Sequence, residues 1–110
     1  MELNDAQQEI RTLFADIAHP RLGSFIALSE EVGKLANEVM QKEIYSTTSS
    51  TEKIESELAD VFVSLLEFAN VYGIDIEDVF KEKVEHLKPR VAKWSVDLKE
   101  PLAKKRQQLD

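Results

Sequence analysis

The chain has 110 residues, 43% of them hydrophobic, and a formal net charge of −7, so we expect one acidic domain that does not bind the phosphate backbone of nucleic acids. It has no cysteine, which excludes disulfides and thiolate metal sites, and no apolar run long enough for a membrane span or a secretory signal. We therefore expect a soluble cytoplasmic protein, and the scarcity of glycine and proline, with three of each, favours helices.

The first predicted helix ends at the dipeptide His19–Pro20, because the residue before a proline avoids the α region. We expect His19 itself to lie in the connecting loop. Asn4 and Asp5 are suitable N-caps for the start of this helix. The apolar residues at helical spacing are Ala6, Ile10, Leu13, Phe14 and Ile17.

The second predicted helix runs from about Arg21 to Glu43 and has one apolar stripe opposite a polar face. The polar, hydroxyl-rich run Tyr45–Ser50 then interrupts the pattern and is interpreted as a flexible loop. Ser49 and Glu52 have the spacing of a capping box, which predicts the start of the third helix. The stripe of the second helix consists of Phe25, Leu28, Val32, Leu35, Ala36 and Val39.

The third predicted helix is apolar over much of its circumference, which favours a central position against more than one neighbour. Gly73 is typical of a helix C-terminus, and Asp75 is typical of the N-cap of a fourth helix. Because the turn between them is short, we expect the third and fourth helices to pack antiparallel. The main stripe of the third helix is Ile54, Leu58, Val61, Phe62, Leu65, Phe68, Ala69 and Tyr72, and the fourth is expected to bury Ile76, Val79, Phe80, Val84 and Leu87.

The fourth helix is expected to end or kink at Pro89, because proline removes a backbone donor. After Trp94 the chain is polar, so we predict a helical domain over residues 1–94 and a polar C-terminal extension over residues 95–110, with a short last helix from Glu100–Pro101. The predicted fold is an all-α four-helix bundle. The wide apolar stripes lead us to expect at least a dimer, in which the third helix packs against its own copy.

Acidic residues lie beside the apolar stripes of the second and third helices. Residues three apart share a helix face, so Glu57 and Asp60 point the same way, as do Glu31 and Lys34. Carboxylates that meet at a helix interface repel one another unless a cation joins them, and oxygen ligands of this kind suit Mg²⁺ or Mn²⁺. The alternative is that these are solvated residues on the flanks of two helices, because Glu-x-x-Asp alone is a common pattern.

The stretch from Glu57 to Phe80, followed by Lys81–Glu85, resembles the MazG-like family of all-α nucleoside triphosphate pyrophosphohydrolases, and the similarity covers roughly residues 20–94. Members of that family carry Glu-x-x-Glu on one helix and Glu-x-x-Asp on the next. This chain has Glu31-Val-Gly-Lys34 and Glu57-Leu-Ala-Asp60 in that order. The resemblance implies helical dimers or tetramers that use Mg²⁺ to cleave a nucleoside triphosphate into monophosphate and pyrophosphate, with a housecleaning role among the implied functions.

On this resemblance, Glu31, Glu57 and Asp60 are the expected catalytic residues and metal ligands. Glu38 lies one turn beyond Lys34 and is the next candidate metal ligand. The candidate substrate-binding residues, which would contact phosphate, are Lys34, Lys83 and Arg90.

Lys34 stands where the family has its second acidic residue. A lysine there would either weaken the metal site by pairing with Glu31, or bind phosphate directly, or mark a loss of chemistry. The fourth helix also lacks the asparagine that many relatives carry. We predict a pyrophosphohydrolase that cleaves (d)NTP with Mg²⁺ or Mn²⁺. Two alternatives remain: a weakened or inactive nucleotide-binding protein on the same scaffold, and a helical protein-interaction module that binds neither metal nor nucleotide.

Overall fold

The computed structural model describes residues 1–45 and 50–110, and within these ranges it contains four α-helices and no strand. The prediction of an all-helical fold is confirmed. The chain divides into two compact units, Met1–Ile76 and Glu77–Asp110. Among the described residues, no helix combines the length and the apolar character that crossing a lipid bilayer requires. The helices are α1 (Leu3–Leu13), α2 (Arg21–Glu43), α3 (Thr51–Val71) and α4 (Ile76–Leu109).

Helix α1 begins and ends earlier than the sequence predicts. Glu2 is its N-cap, and the Glu2 backbone N–H donates to Asp5 Oδ2 at 3.0 Å, so Asp5 supports the first turn from inside the helix. The helix ends at Leu13, and the Ile17 N–H donates to the Phe14 carbonyl at 3.0 Å in the turns that follow. These turns satisfy backbone groups that a longer helix would have paired. Leu13 and Ile17, two of the apolar residues at helical spacing, are 70% and 66% exposed.

Helix α2 has the predicted bounds, Arg21–Glu43. Pro20 occupies the N-cap position, and its carbonyl accepts the Ser24 N–H at 2.8 Å. The Ser24 hydroxyl donates to the Arg21 carbonyl at 2.7 Å, which gives a partner to a side chain that is buried. The first turn of α2 is therefore anchored locally.

Helix α3 begins after Ser50, whose side chain accepts the Lys53 N–H at 3.4 Å. The capping residue is therefore Ser50. The capping box predicted at Ser49, and the centre of the predicted loop, fall on residues 46–49, which lie outside the described residues.

The C-terminus of α3 has the glycine ending that the sequence predicts. Gly73 has a φ of +67°, a left-handed conformation that costs other residues free energy. The Ile74 N–H donates to the Ala69 carbonyl at 2.9 Å, and the Gly73 N–H donates to the Asn70 carbonyl at 3.1 Å. This pair of bonds is a Schellman motif, and it turns the chain sharply out of α3.

Helices α2 and α3 form the main packing contact of the first unit. Two contacts show that these helices run antiparallel. Phe25, near the start of α2, meets Phe68, near the end of α3, whereas Glu31, later in α2, meets Glu57, earlier in α3. The Phe25 and Phe68 rings meet edge to face, with centroids 6.2 Å apart. Phe25 and Phe62 are nevertheless 48% and 44% exposed, although the stripes predicted them to be buried. Three helices of one chain leave part of each apolar stripe uncovered. The buried hydrophobic residues are Ile10, Leu66 and Ala69.

A polar contact joins α1 to the end of α3, and we call it the glutamine lock: the side chains of Gln7, Arg11 and Asn70 with the backbone of Ile74 and Ile76. Gln7 Nε2 donates to Asn70 Oδ1 at 3.0 Å and to the Ile74 carbonyl at 2.7 Å. Gln7 Oε1 accepts the Ile76 N–H at 3.1 Å. A buried glutamine thus satisfies the first backbone donor of α4, a group that no intrahelical bond can reach.

Helix α4 runs through Pro89 and Pro101 without ending at either, so the predicted stop at Pro89 and the predicted short last helix from Glu100–Pro101 were wrong. Each proline removes one backbone donor, and the 34-residue helix continues on its remaining bonds. No α4 residue is buried; Val79 and Phe80, predicted to be buried, are 45% and 57% exposed. The domain boundary predicted after Trp94 falls inside this helix and stays a prediction, as does the antiparallel packing of the third and fourth helices.

Candidate functional site

The antiparallel contact of α2 and α3 brings three carboxylates together. One oxygen each from Glu31, Glu57 and Asp60 lies within 4.8 Å of the others. Glu57 and Asp60 are one turn apart on α3, and Glu31 faces them from α2. We call these three residues the carboxylate cluster. The side chains that the sequence singled out as metal ligands are thus in reach of a single cation.

Two oxygens of this cluster are buried and have no hydrogen-bond partner within the described part of the chain: Glu31 Oε2 and Glu57 Oε2. An unpartnered buried oxygen costs free energy, and three negative charges at this separation repel one another. Most buried polar groups in folded proteins have partners, so these two oxygens point to an external ligand. A cation is the ligand that would satisfy both atoms and relieve the repulsion.

Lys34 contacts the cluster but does not give a partner to both oxygens of Glu31. Its Nζ lies 3.4 Å from Glu31 Oε1, whereas Glu31 Oε2 has no partner among the described residues. The hydrogen bond to Glu31 raises the pKa of Lys34, and the charges of Glu31 and Glu57 act in the same direction. Because the usual pKa of lysine is already far above neutral, Lys34 carries a positive charge at physiological pH.

One groove beside the cluster is partly apolar, and we call it the histidine groove. It has a volume of about 410 Å³ and reaches two members of the cluster, Glu31 and Asp60. Hydrophobic side chains from the α1–α2 region and from α3 supply part of its wall. Its other lining residues are Phe14, His19, Ala27, Glu30, Val63, Ser64 and Glu67.

A second groove lies beside Glu57, and we call it the lysine groove. Its volume, about 420 Å³, is close to that of the histidine groove, and Glu30 lines both, so the two grooves differ mainly in their other lining side chains. None of the described residues that line it has a hydrophobic side chain. They are Glu30, Gly33, Lys34, Asn37, Glu38 and Glu57.

The remaining predicted site residues lie apart from the cluster or in the second unit. Glu38 is not one of the three clustered carboxylates but lines the lysine groove with Glu57, so its role as a metal ligand stays a prediction. Lys83 and Arg90 are exposed residues of α4 within the second unit. Their predicted contact with phosphate stays a prediction.

The sequence analysis missed a histidine–carboxylate pair in the histidine groove. His19 Nδ1 lies 2.6 Å from Glu67 Oε1, and the Glu67 side chain is only 7% exposed. His19 is in the connecting segment, as expected, but it is held there by α3. A spacing signal did exist, because Glu67 follows Asp60 by seven residues and therefore lies on the same face of α3. Its partner, 48 residues away, could not be found from spacing.

Comparison with known proteins agrees with this arrangement. The sequence profile of the MazG nucleotide pyrophosphohydrolase domain matches residues 24–93, which is more than half of the chain and includes the whole carboxylate cluster. The uncharacterized protein YvdC of Bacillus subtilis (strain 168) is 29% identical over 102 residues, covering 82% of this chain and 96% of that protein. No solved structure matches the chain.

Proposed function

Because this chain belongs to the MazG nucleotide pyrophosphohydrolase family, we propose that it cleaves nucleoside triphosphates, (d)NTP, into the monophosphate and pyrophosphate with the help of Mg²⁺. The observation that carries the proposal is the carboxylate cluster with its two buried, unpartnered oxygens. In a purely structural ion-pair network, buried oxygens of this kind usually have partners.

The cluster fits a hard divalent cation. All its donors are carboxylate oxygens, which Mg²⁺ and Mn²⁺ prefer over the nitrogen and sulfur ligands typical of zinc. Glu31, Glu57 and Asp60 would hold the metal, and Glu38 is the further ligand that we propose from the adjoining groove. A bound divalent ion would offset phosphate charge and make water a better nucleophile at neutral pH.

The protein's own basic residues supply the rest of the phosphate recognition in this proposal. Lys34, next to Glu31, offers a positive charge at the cluster. Lys83 and Arg90 are proposed to contact phosphate from α4. Exposed lysine and arginine side chains retain the freedom to reorient toward a bound anion. A cytoplasmic location and the absence of nucleic-acid partners belong to the same proposal.

A release assay tests the activity. Pyrophosphate would be measured for each common NTP and dNTP, with Mg²⁺ and separately with Mn²⁺. We expect metal-dependent release, and we expect Glu57→Gln to lower it on the order of 100-fold, because the charge that holds the cation is lost. Glu55→Gln, an exposed residue two positions away on the same helix, is the matched control and should retain activity.

A second candidate function rests on Lys34. If this lysine neutralises the site, the protein is a weakened or inactive nucleotide-binding module. That version requires nucleotide binding without pyrophosphate release for every triphosphate tested. Absence of both binding and release would instead favour a helical interaction module and would contradict both versions.

We also propose that the protein self-associates as a dimer or tetramer. Large apolar side chains of α2 and α3 remain about half exposed in the single chain, including Phe25, Ile26, Leu58 and Phe62. Full burial of an exposed side chain of this kind contributes about 1.5–3 kcal/mol, so covering the half that is still exposed would contribute roughly half of that for each residue. Sedimentation velocity at micromolar concentration should therefore show a species of at least twice the chain mass, and a monomer at that concentration would contradict the proposal.

A further inference from the structure

Two grooves of similar size adjoin the carboxylate cluster; they share Glu30 and otherwise differ in the side chains that line them. The histidine groove reaches Glu31 and Asp60 and is walled partly by Phe14, Ala27 and Val63. The lysine groove reaches Glu57 and is lined by charged and polar side chains and one glycine. A cation held by the cluster would therefore adjoin hydrophobic side chains and an imidazole in the histidine groove, and the Lys34 ammonium group in the lysine groove.

A nucleoside triphosphate has a matching asymmetry, since a flat, partly apolar base lies at one end and a polyanion at the other. We propose that the histidine groove binds the nucleoside and that Lys34 binds the two terminal phosphates, which leave as pyrophosphate. This assignment rests on the proposed function and adds to it the direction in which the substrate lies across the cluster.

His19 is suited to hydrogen bond with a base. Glu67 holds Nδ1 at 2.6 Å, which leaves Nε2 as the ring nitrogen available to a ligand. Gly23 lies beside this ring, since a Cβ added at Gly23 would lie 3.5 Å from His19 Cβ and 3.7 Å from its Cδ2. The His19 side chain is 47% exposed and the Glu67 side chain 7% exposed, so a fixed carboxylate presents an accessible imidazole.

The neutral form of this pair specifies which base edge it recognises. A carboxylate accepts hydrogen bonds, so Nδ1 carries a proton; Nε2 is an acceptor when the ring is neutral and a donor when the ring is protonated. An acceptor recognises an N–H of the base, such as an exocyclic amino group or a ring imino group. Ser64 in the same groove can donate or accept, so it can pair with either kind of neighbouring base atom.

Lys34 is suited to a phosphate for the complementary reason. Its side chain is 60% exposed, and its contact with Glu31 at 3.4 Å is a long, exposed ion pair that contributes little to stability. A lysine of this kind can turn from a carboxylate to a phosphate without losing a buried partner. The approach of Glu57 and Glu31 to a cation would also free Lys34 from part of the negative charge that now attracts it.

Isothermal titration of the full chain with each of the two reaction products, pyrophosphate and nucleoside monophosphate, tests this orientation. In the presence of Mg²⁺, inorganic pyrophosphate probes the lysine groove, and a nucleoside monophosphate, taken from the triphosphate that is cleaved fastest, probes the histidine groove. If no triphosphate is cleaved, the four common monophosphates are titrated instead. The variants are Lys34→Met, which keeps about the length of the lysine side chain, and His19→Gln, which keeps the capacity to form hydrogen bonds. Lys42→Met, on the same helix and also paired with a glutamate, is the control for loss of a surface charge.

We expect Lys34→Met to weaken pyrophosphate binding about tenfold and monophosphate binding less than twofold, and His19→Gln to do the reverse. If His19→Gln fails to fold, Ser64→Leu narrows the same groove and should give the same selective loss.

Equal losses for both ligands, exchanged losses, or no loss would overturn the orientation even if the wild-type protein releases pyrophosphate. Loss of the proposed function has a different signature, namely no release from any triphosphate. Failure of the wild type to bind either ligand would overturn the orientation as well.

Discussion

Two polar clusters lie on α3, and they differ in whether their buried atoms have partners. In the glutamine lock, the side-chain amides of Gln7 and Asn70 bond to each other, to Arg11 and to the backbone at the start of α4. In the carboxylate cluster, Glu31 Oε2 and Glu57 Oε2 are buried and have no partner within the described chain. Both are polar contacts between packed helices, but among the described residues only the first has a partner for each of these buried atoms.

The difference separates a contact that stabilises the fold from one that awaits a ligand. A satisfied buried network contributes to stability, and removal of one member strands the others. A network of like charges with unpartnered atoms lowers stability until an external group arrives. The two clusters should therefore respond in opposite directions to the loss of one side chain.

The largest effect is expected in the glutamine lock. Gln7→Ala removes the partners of the Ile74 carbonyl and the Ile76 N–H, and should lower the free energy of unfolding by about 2–3 kcal/mol. Urea denaturation measures it. Gln8→Ala, at the neighbouring exposed position, should change this free energy by no more than about 0.5 kcal/mol. Equal effects of the two substitutions would show that the lock does not stabilise the fold.

A smaller effect of opposite sign is expected in the carboxylate cluster. With EDTA, Glu57→Gln should raise the free energy of unfolding by about 1 kcal/mol, because it removes one of three repelling charges. With Mg²⁺ the wild type should instead have the higher free energy of unfolding, since only the wild type gains stability from the ion. Thermal melts of Glu57→Gln and of the control Glu55→Gln, with and without Mg²⁺, measure both signs. The same Mg²⁺-induced rise in both variants would mean that the ion binds elsewhere.

An effect of similar size is expected at Gly73, which turns the chain so that Ile74 and Ile76 meet Gln7. Its φ of +67° disfavours a Cβ, so Gly73→Ala should lower the free energy of unfolding by about 1 kcal/mol. Gly33 is the matched control. It lies inside α2 with nothing within 4 Å of an added Cβ, and Gly33→Ala should raise the same free energy by up to about 1 kcal/mol. Two changes of the same sign would contradict this account of the turn.

The sequence predicts local features of this fold better than distant ones. The bounds of α2 and the glycine end of α3 follow from apolar spacing and from one residue type, and both were confirmed. The helix end predicted at Pro89 was wrong, because a rule based on one residue does not include the other hydrogen bonds that a long helix retains. The exposure of Phe25 and Phe62 could not be predicted either, since it depends on how many neighbours one chain provides.

At the candidate site, too, the sequence predicts local features better than contacts between distant residues. The spacing of Glu57 and Asp60 and the resemblance to a family located the three clustered carboxylates in advance. The pair of His19 and Glu67 was missed, because it joins a loop to a helix across 48 residues and neither residue belongs to a spaced motif with the other. The absence of a partner for Glu57 Oε2 is likewise a property of packing in three dimensions.

The contact between Lys34 and Glu31 has a consequence for ion stoichiometry. The three clustered carboxylates and one ammonium group carry a formal charge of −2, which a single divalent ion neutralises, and the proposed ligand Glu38 would add one further negative charge. A second divalent ion would leave the free protein with a net positive centre, so its arrival is expected to coincide with that of the polyphosphate anion. Lys34 thus acts as a tethered counter-ion. Chelation and dilution cannot remove it, and the charge it contributes stays at the site when free metal is scarce.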